Sequence, residues 1–564
     1  MQNIGQTYKD YKKEIPNYNA WKKQREIHNA KKEYLFKTKP PSEEELKKAK
    51  AKAEVLFNAI DVMDDYSQEK AQYTEQVIQG FEQSILTVVS YISMFIMGLV
   101  GYSKFGQNVT KKIIETFTKK TIKPEDLDMH SISSASIWGM VGLYLGWIIG
   151  QIPFSAFSAK CEVAASRTAR FEAMKNELDD YNQFTILNDK QKEEVENLAK
   201  NIQLSKKEKQ SKKLQNSFQM INPFEAYKTV VNLLEEKDGI NNTRKKYFQT
   251  IDKDIEENYQ KELTKEQILE AKKDKELLTS MIEQIDIKSQ DYSENTELLT
   301  RGISIVANGL SALGMFSLSD ITKNMKNKAL KLIISYVLPL LSSIVITSYF
   351  TNLEKLSSQV ARFKAIEEMK KNPANFVYYS DEEINSVDES KIEVKKEEKD
   401  SILKFIPKII KEYKEYKKYV KENEEKDKKY NKALKQIKIN KEQEKEAAKL
   451  QRNTFYTFNR IDDNSQRYSE NIEAFWEIIS NPITLISGAI GAAIGTKYAK
   501  KHITKTSTSD ELDTKAIAAI LGSVTLSLIP PFVLEMFSTK QQKEASRVAN
   551  YKAIEELKDY QNFA

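Results

Sequence analysis

Cysteine occurs once in this chain of 564 residues, at Cys161, so no intrachain disulfide can brace it. Histidine occurs only as His28, His130 and His502, too far apart for the close pairing typical of a metal ligand set. Glycine (17) and proline (12) are scarce, which argues against a turn-dense β fold and favours long helices. Also missing are a phosphate-binding loop, a dinucleotide fingerprint and a G-x-S-x-G elbow. There is no excess of one sign of charge. The 88 Lys and Arg face 81 Asp and Glu, interleaved along the chain, for a net +7. That balance describes solvated helix faces and argues against nucleic acid as a partner. The opening "MQNIGQTYKDYKKEIPNYNAW" has no apolar core and carries Asp10 and Glu14, so neither a signal peptide nor a transit peptide is expected. No catalytic residue, cofactor or metal ligand is assigned, and a non-enzyme is expected.

What the sequence does have is six apolar windows on a polar background. They are 84–102, 137–158, 302–317, 330–350, 479–495 and 516–537. A spanning helix needs about 20 mostly apolar residues. The windows therefore predict an all-α integral membrane protein with six transmembrane helices, the bilayer being its first partner.

The windows fall in pairs inside a triplicated unit. "IDIKSQDYSEN" (285–295) has a near copy in "IDDNSQRYSEN" (461–471), and a diverged copy surrounds Tyr73. Aligning Tyr73, Tyr292 and Tyr468 places these tyrosines at a water–lipid boundary, where a ring prefers lipid and a hydroxyl prefers water. Upstream stand three helix-start signatures: Ser42 with Glu45, Thr264 with Gln267, and Asn440 with Gln443. Downstream, each unit ends on a related phrase: "ASRTARF", "SSQVARF" or "ASRVANY". These phrases align Ser166, Ser358 and Ser546, and also Phe171, Phe363 and Tyr551. Phe184, Phe376 and Phe563 follow. Arg170 and Arg362 are placed to pair with Glu75 and Glu294, but Asn550 interrupts the series in the third unit.

The expected organisation begins with a polar segment, 1–41. Repeat one covers 42–184, a helical linker 185–262, and repeat two 263–379. A charged linker (380–438) and repeat three (439–564) follow. Each repeat is a helical hairpin with long water-exposed, coiled-coil-like arms. Small residues at helix-packing spacing mark the spans: Gly142, Gly146 and Gly150, then Gly488, Gly491 and Gly495. Within 401–421 an apolar stripe of Ile402, Phe405, Ile409, Tyr413, Tyr416 and Val420 runs beside Lys404, Lys408, Lys411 and Lys418. It reads as a bundle helix or as a basic helix on a membrane surface.

These features lead to a functional expectation. The chain is a multi-pass membrane scaffold or structural subunit that binds other protein subunits through its arms, and it is a possible homo-oligomer. The arms and termini are placed in the cytoplasm or organelle matrix. The alternative is a pore or transporter with pseudo-threefold symmetry, which polar residues of all three units facing one axis would favour.

Overall fold

The structure is a computed structural model that describes residues 2–118, 159–205, 239–259, 263–321, 356–394, 402–502 and 536–557, with a few isolated positions, among them 138, 142 and 563. Within the long helices, the side chains of 68–91, 299–321 and most of 481–502 are outside that description. Among the described residues the chain is helical, with no strand.

Three very long helices are the frame: α2 (Glu43–Tyr102), α7 (Lys265–Ile321) and α10 (Lys441–His502). At 1.5 Å per residue each is about 90 Å long. All three expected starts are closed capping boxes. Ser42 N donates to Glu45 at 3.0 Å, Thr264 N to Gln267 at 2.9 Å and Asn440 N to Gln443 at 3.2 Å. Each third residue donates its own N–H back to the cap side chain. Every box ties down two backbone donors that a helix start would otherwise leave open.

The register differs from the tyrosine alignment. Twenty-five positions separate Ser42 from Ser67, Thr264 from Ser289 and Asn440 from Ser465. These serines, not Tyr73, mark equivalent places, and Lys70 is the residue in line with Tyr292 and Tyr468. Counting back from the serines, one layer holds Met63, Ile285 and Ile461, and the next Ile60, Ile282 and Phe458. Leu56, Leu278 and Thr454 form a third. Steps of four, three and four residues are a 3.5-residue repeat, the pattern that winds helices about one another.

The return helices are α4 (159–176), α8 (356–371) and α11 (536–556). Each presents one small face to the inner helices. Ser166, Ala169 and Ala173 recur as Ser358, Ala361 and Ala365, and as Ser546, Ala549 and Ala553, all buried. Small side chains let the helices approach closely. Tyr181–Phe184 and Pro373–Phe376 then turn tightly and drive Phe184 and Phe376 inward. Phe184 meets Phe455 edge-on at 5.7 Å, and Phe376 meets Phe57 at 5.9 Å.

The segments read as a polar N-terminus and two linkers supply a third helix to each unit. These outer helices are α1 (Gln2–Thr38), α6 (Gly239–Tyr259) and α9 (Ile402–Leu434). α1 lays Tyr11 and Tyr18 on Val548 and Ala549 of α11. α6 places Tyr247 on Phe171 of α4, 5.6 Å between rings. α9 packs Tyr416 and Val420 on Val360 of α8. Each outer helix thus covers the return helix of the preceding unit, with α1 closing the circle onto unit three. Two further helices, α3 (Lys104–Thr118) and α5 (Asp189–Asn201), complete the set used below.

Replacing Phe184 by Ala should cost about 3–5 kcal/mol, as for other buried phenylalanines. The exposed Tyr181→Ala should stay within about 0.5 kcal/mol. Urea unfolding midpoints of the two variants check this.

Candidate functional site

Three residues before each marker serine stands an aspartate: Asp64, Asp286 and Asp462. All three are buried. An inner helix offers its aspartate to a return helix from another unit, always in the same cyclic sense. Arg362 of unit two lies 2.9 Å from Asp64 of unit one. Arg170 of unit one lies 2.8 Å from Asp462 of unit three. Asn550 of unit three donates at 2.7 Å to Asp286 of unit two. The break in the series at Asn550 therefore does not break the ring, because the amide fills the place of the arginine. The side-chain positions of Glu75 and Glu294 are outside the described residues, and the charges that hold the two arginines are these aspartates instead.

Within each unit the marker serines pair across the hairpin. Ser289 meets Ser358 at 2.6 Å, Ser465 meets Ser546 at 2.6 Å, and Ser67 meets Ser166. A second ring follows the same cyclic sense. Arg167 clasps Asp463 (2.7 Å), Gln359 donates to Asp65 (2.7 Å), and Arg547 pairs with Asp291 (2.8 Å). Unit two has Ile287 where the others have Asp65 and Asp463, so its partner shifts to Asp291, four residues on. Glutamines stitch inner helix to inner helix: Gln466 donates to Ser67 at 3.0 Å and Gln290 to Ser465 at 3.2 Å.

The electrostatics follow from burying this much charge. Burial is the main force on Asp64, and with Arg362 opposing and three neighbouring carboxylates assisting it is pushed up to about 6. Burial likewise raises Asp462, against the pull of Arg170. Burial also opposes ionisation of Asp463, but Arg167 and Arg170 outweigh it and hold that carboxyl low. For Arg362, Asp64, Asp65 and Asp61 outweigh the cost of burial and keep the guanidinium charged. The hub is a charge-paired clamp between repeats. Among the described residues no His, Cys, Asp and Glu group is arranged to hold a metal ion.

The residues singled out from sequence have found other places. Tyr292 and Tyr468 are buried in the bundle, not at a boundary. Tyr292 donates to Glu412 of α9 at 2.8 Å, with the Lys408 ammonium over its ring. Tyr468 takes the ammonium of Lys552 at 3.4 Å. The side chain of Tyr73 is outside the described residues. Phe171, Phe363 and Tyr551 share one role, each carrying an aromatic of an outer helix: Tyr247, Tyr416 and Trp21, all at 5.4–5.6 Å. The stripe of α9 from Ile409 to Val420 is spent on unit two, so that face is not open to a membrane surface. Lys411 and Lys418 point to solvent, and the Lys404 side chain is outside the description.

Beyond the hub, α2 runs on into the window 84–102 and presents an apolar stripe. Ile92, Phe95, Ile96, Leu99, Tyr102 and Phe105 are each more than half exposed. Ser103 breaks the helix in extended backbone and α3 begins at once. Gly106 sits so close to Gly101 that an added Cβ would be 2.6 Å from its Cα. Gly142 approaches the same helix, and a Cβ there would meet the Ser93 carbonyl and, at 2.6 Å, Met97 Cβ. Of the six glycines proposed for helix packing, Gly142 has a described contact. Gly146 and Gly150 are outside the described residues, and Gly488, Gly491 and Gly495 are described in backbone only. Among the described residues no helix is long and apolar enough to cross a membrane. Windows 330–350 and 137–158 are almost wholly outside that description, and 516–537 largely so.

At the opposite end lies a cavity of about 370 Å³ between α1, α2, α7 and residues 373–379. Two of its cations are taken up by protein acids: the buried Lys32 by Glu276 at 2.5 Å and the half-buried Lys52 by Asp274. Burial works against ionised Glu276, but Lys32 and His28 prevail and hold it at about 2.

Replacing Arg362 by Met should cost about 3–5 kcal/mol by stranding Asp64, with less loss when Asp64→Leu accompanies it; a double-mutant cycle of melting temperatures reads the difference. Glu276 has a depressed pKa, so its contribution is full above about 4.5 and drains away as pH falls toward 2. Glu276→Gln should flatten the acid limb of a pH–stability curve. Comparison with protein-family models, curated proteins and solved structures finds no match for this chain.

Proposed function

We propose that this protein is a non-enzymatic membrane scaffold. In this reading a bundle of three repeats stands in water while the apolar ends of its hairpins insert in a bilayer. The observation that carries it is the stripe from Ile92 to Phe105. Burying one such side chain is worth roughly 1.5–3 kcal/mol, so five along α2, with Phe105 just past the break on α3, call for an apolar environment. The run 84–102 contains no Asp, Glu, Lys or Arg, in a helix whose first third is heavily charged. Ile483 of unit three, and Val533, Met536 and Phe537 on its return, are exposed on the same side of the hub in sequence. The close seat of Gly142 on Ser93 and Met97 supports a tight hairpin there.

In this reading the arms and both termini lie on the cytoplasmic or matrix side, with loops 103–136, 318–329 and 496–515 across the membrane. The solvated outer helices are the surface for other protein subunits, or for further copies of the chain. The alternative, a pore along the axis of three hairpins, draws support from the polar hub to which all three units contribute. The hub's tight mutual bonding weighs for a clamp.

Alkaline carbonate washing of native membranes tests the first point. The chain should stay in the pellet, and release into the supernatant would refute membrane integration. Phe95→Lys with Leu99→Lys should weaken flotation with phospholipid vesicles while leaving the helical circular dichroism intact. Solute flux in liposomes holding the purified chain would favour the pore.

A further inference from the structure

Two of the three hub joints close on a guanidinium and the third does not. Asp286 faces Asn550 where its counterparts face Arg362 and Arg170. With every group ionised, the buried triad would hold three carboxylates against two guanidiniums. Asp286 Oδ2 accepts from Asn550 Nδ2 at 2.7 Å and from Ser465 Oγ at 2.8 Å. Asn550 is 1% exposed, and among the described residues its own Oδ1 has no hydrogen-bond donor. A buried carboxylate with no cation of its own, beside a buried carbonyl with no donor, is costly twice over. A proton on the carboxyl removes the uncompensated charge and adds a donor that the ionised form lacks.

We propose that the Asp286–Asn550 joint is a proton-binding site, in which one proton on the Asp286 carboxyl stands where the other two repeats place an arginine. The groups around it agree. On α7, Glu283 faces Arg25 of α1 at 3.6 Å, and Asp291 is held by Arg547 of α11. Asp64 of α2 and Asp462 of α10 are near enough to be felt and both disfavour a further negative charge. Arg170 of α4 is the favourable cation, but its guanidinium is committed to Asp462. Burial is the largest influence and raises Asp286, against the hydrogen bonds of Asn550, Ser465 and Gln290 and the pull of Arg170. A raised acid stabilises the fold fully below its unfolded value of about 3.9, and that stability is lost as pH rises through the folded value. The third joint therefore weakens on alkalinisation, as the raised Asp64 and Asp462 also do, but it meets an amide where the other two meet an arginine.

The test uses the full chain in detergent, with melting temperatures from pH 5 to pH 9. Asp286→Asn mimics the neutral acid. It should melt with the parent at pH 5 and above the parent at pH 9. Asp64→Asn should melt below the parent at pH 9, because it takes one carboxylate from the buried Arg362 and leaves it Asp65 and Asp61. Asn550→Arg installs the missing guanidinium and should raise the melting temperature at pH 9. Infrared spectra keep the proposal decidable even if a variant folds poorly: Asp286→Asn should lose one component of the parent's protonated-carboxyl stretch and keep the part that the raised Asp64 and Asp462 contribute. The proposal is overturned if Asp286→Asn melts well below the parent at pH 5, or if its protonated-carboxyl band is as strong as the parent's. It is equally overturned if sodium or potassium stabilises the parent and Asp286→Asn abolishes the effect, since the counter-charge would then be a metal ion.

Discussion

A buried carboxylate on one repeat, met by a polar side chain from the next, is the interaction on which the molecule turns. An unpaired aspartate in an interior is prohibitively costly, so an inner helix cannot bury Asp64 or Asp462 unless the correct return helix arrives with its arginine. Each joint therefore specifies which repeat neighbours which, and at what height. The apolar layers below would tolerate a slip of one heptad, whereas the Asp–Arg and Ser–Ser contacts at the hub would not. Apolar packing supplies the bulk of the stability in this picture, and the polar hub supplies its register.

Fixing the register has a consequence far from the hub. The inner helices are continuous from their capped starts through the hub and into the apolar windows. Clamping them at the marker serines also sets the relative heights at which 84–102, 302–317 and 479–495 leave the bundle. In the proposed scaffold several apolar ends would meet one bilayer, and such a common level is what that arrangement requires. The outer helices add a polar sheath, with the aromatics of α1, α6 and α9 seated on Phe171, Phe363 and Tyr551.

Much of this was legible in residues alone. Ser42, Thr264 and Asn440 announce their helices by cap chemistry, which is local and therefore readable. The return phrases align because Ser166, Ala169 and Phe171 recur with little change. The hub was not legible for a physical reason: its partners lie about 300 residues apart, and charge alone does not say which of 81 acids meets Arg362. A signal did exist. Aligning the units on the serines, not on Tyr73, places Asp64, Asp286 and Asp462 in one column. Of the outer helices, α1 escaped notice because 1–41 is polar, carries Pro16 and owes its order to tertiary contacts such as Tyr8 stacked on Phe475.

Hydrogen exchange at the hub of the full chain, with and without Arg362→Met, tests the cyclic clamp most directly. Segments 56–67, 278–289 and 454–465 should share one slow rate in the parent, and all three should accelerate together in the variant. Faster exchange confined to 56–67, with the other two segments unchanged, would contradict a closed ring and leave three hairpins packed side by side.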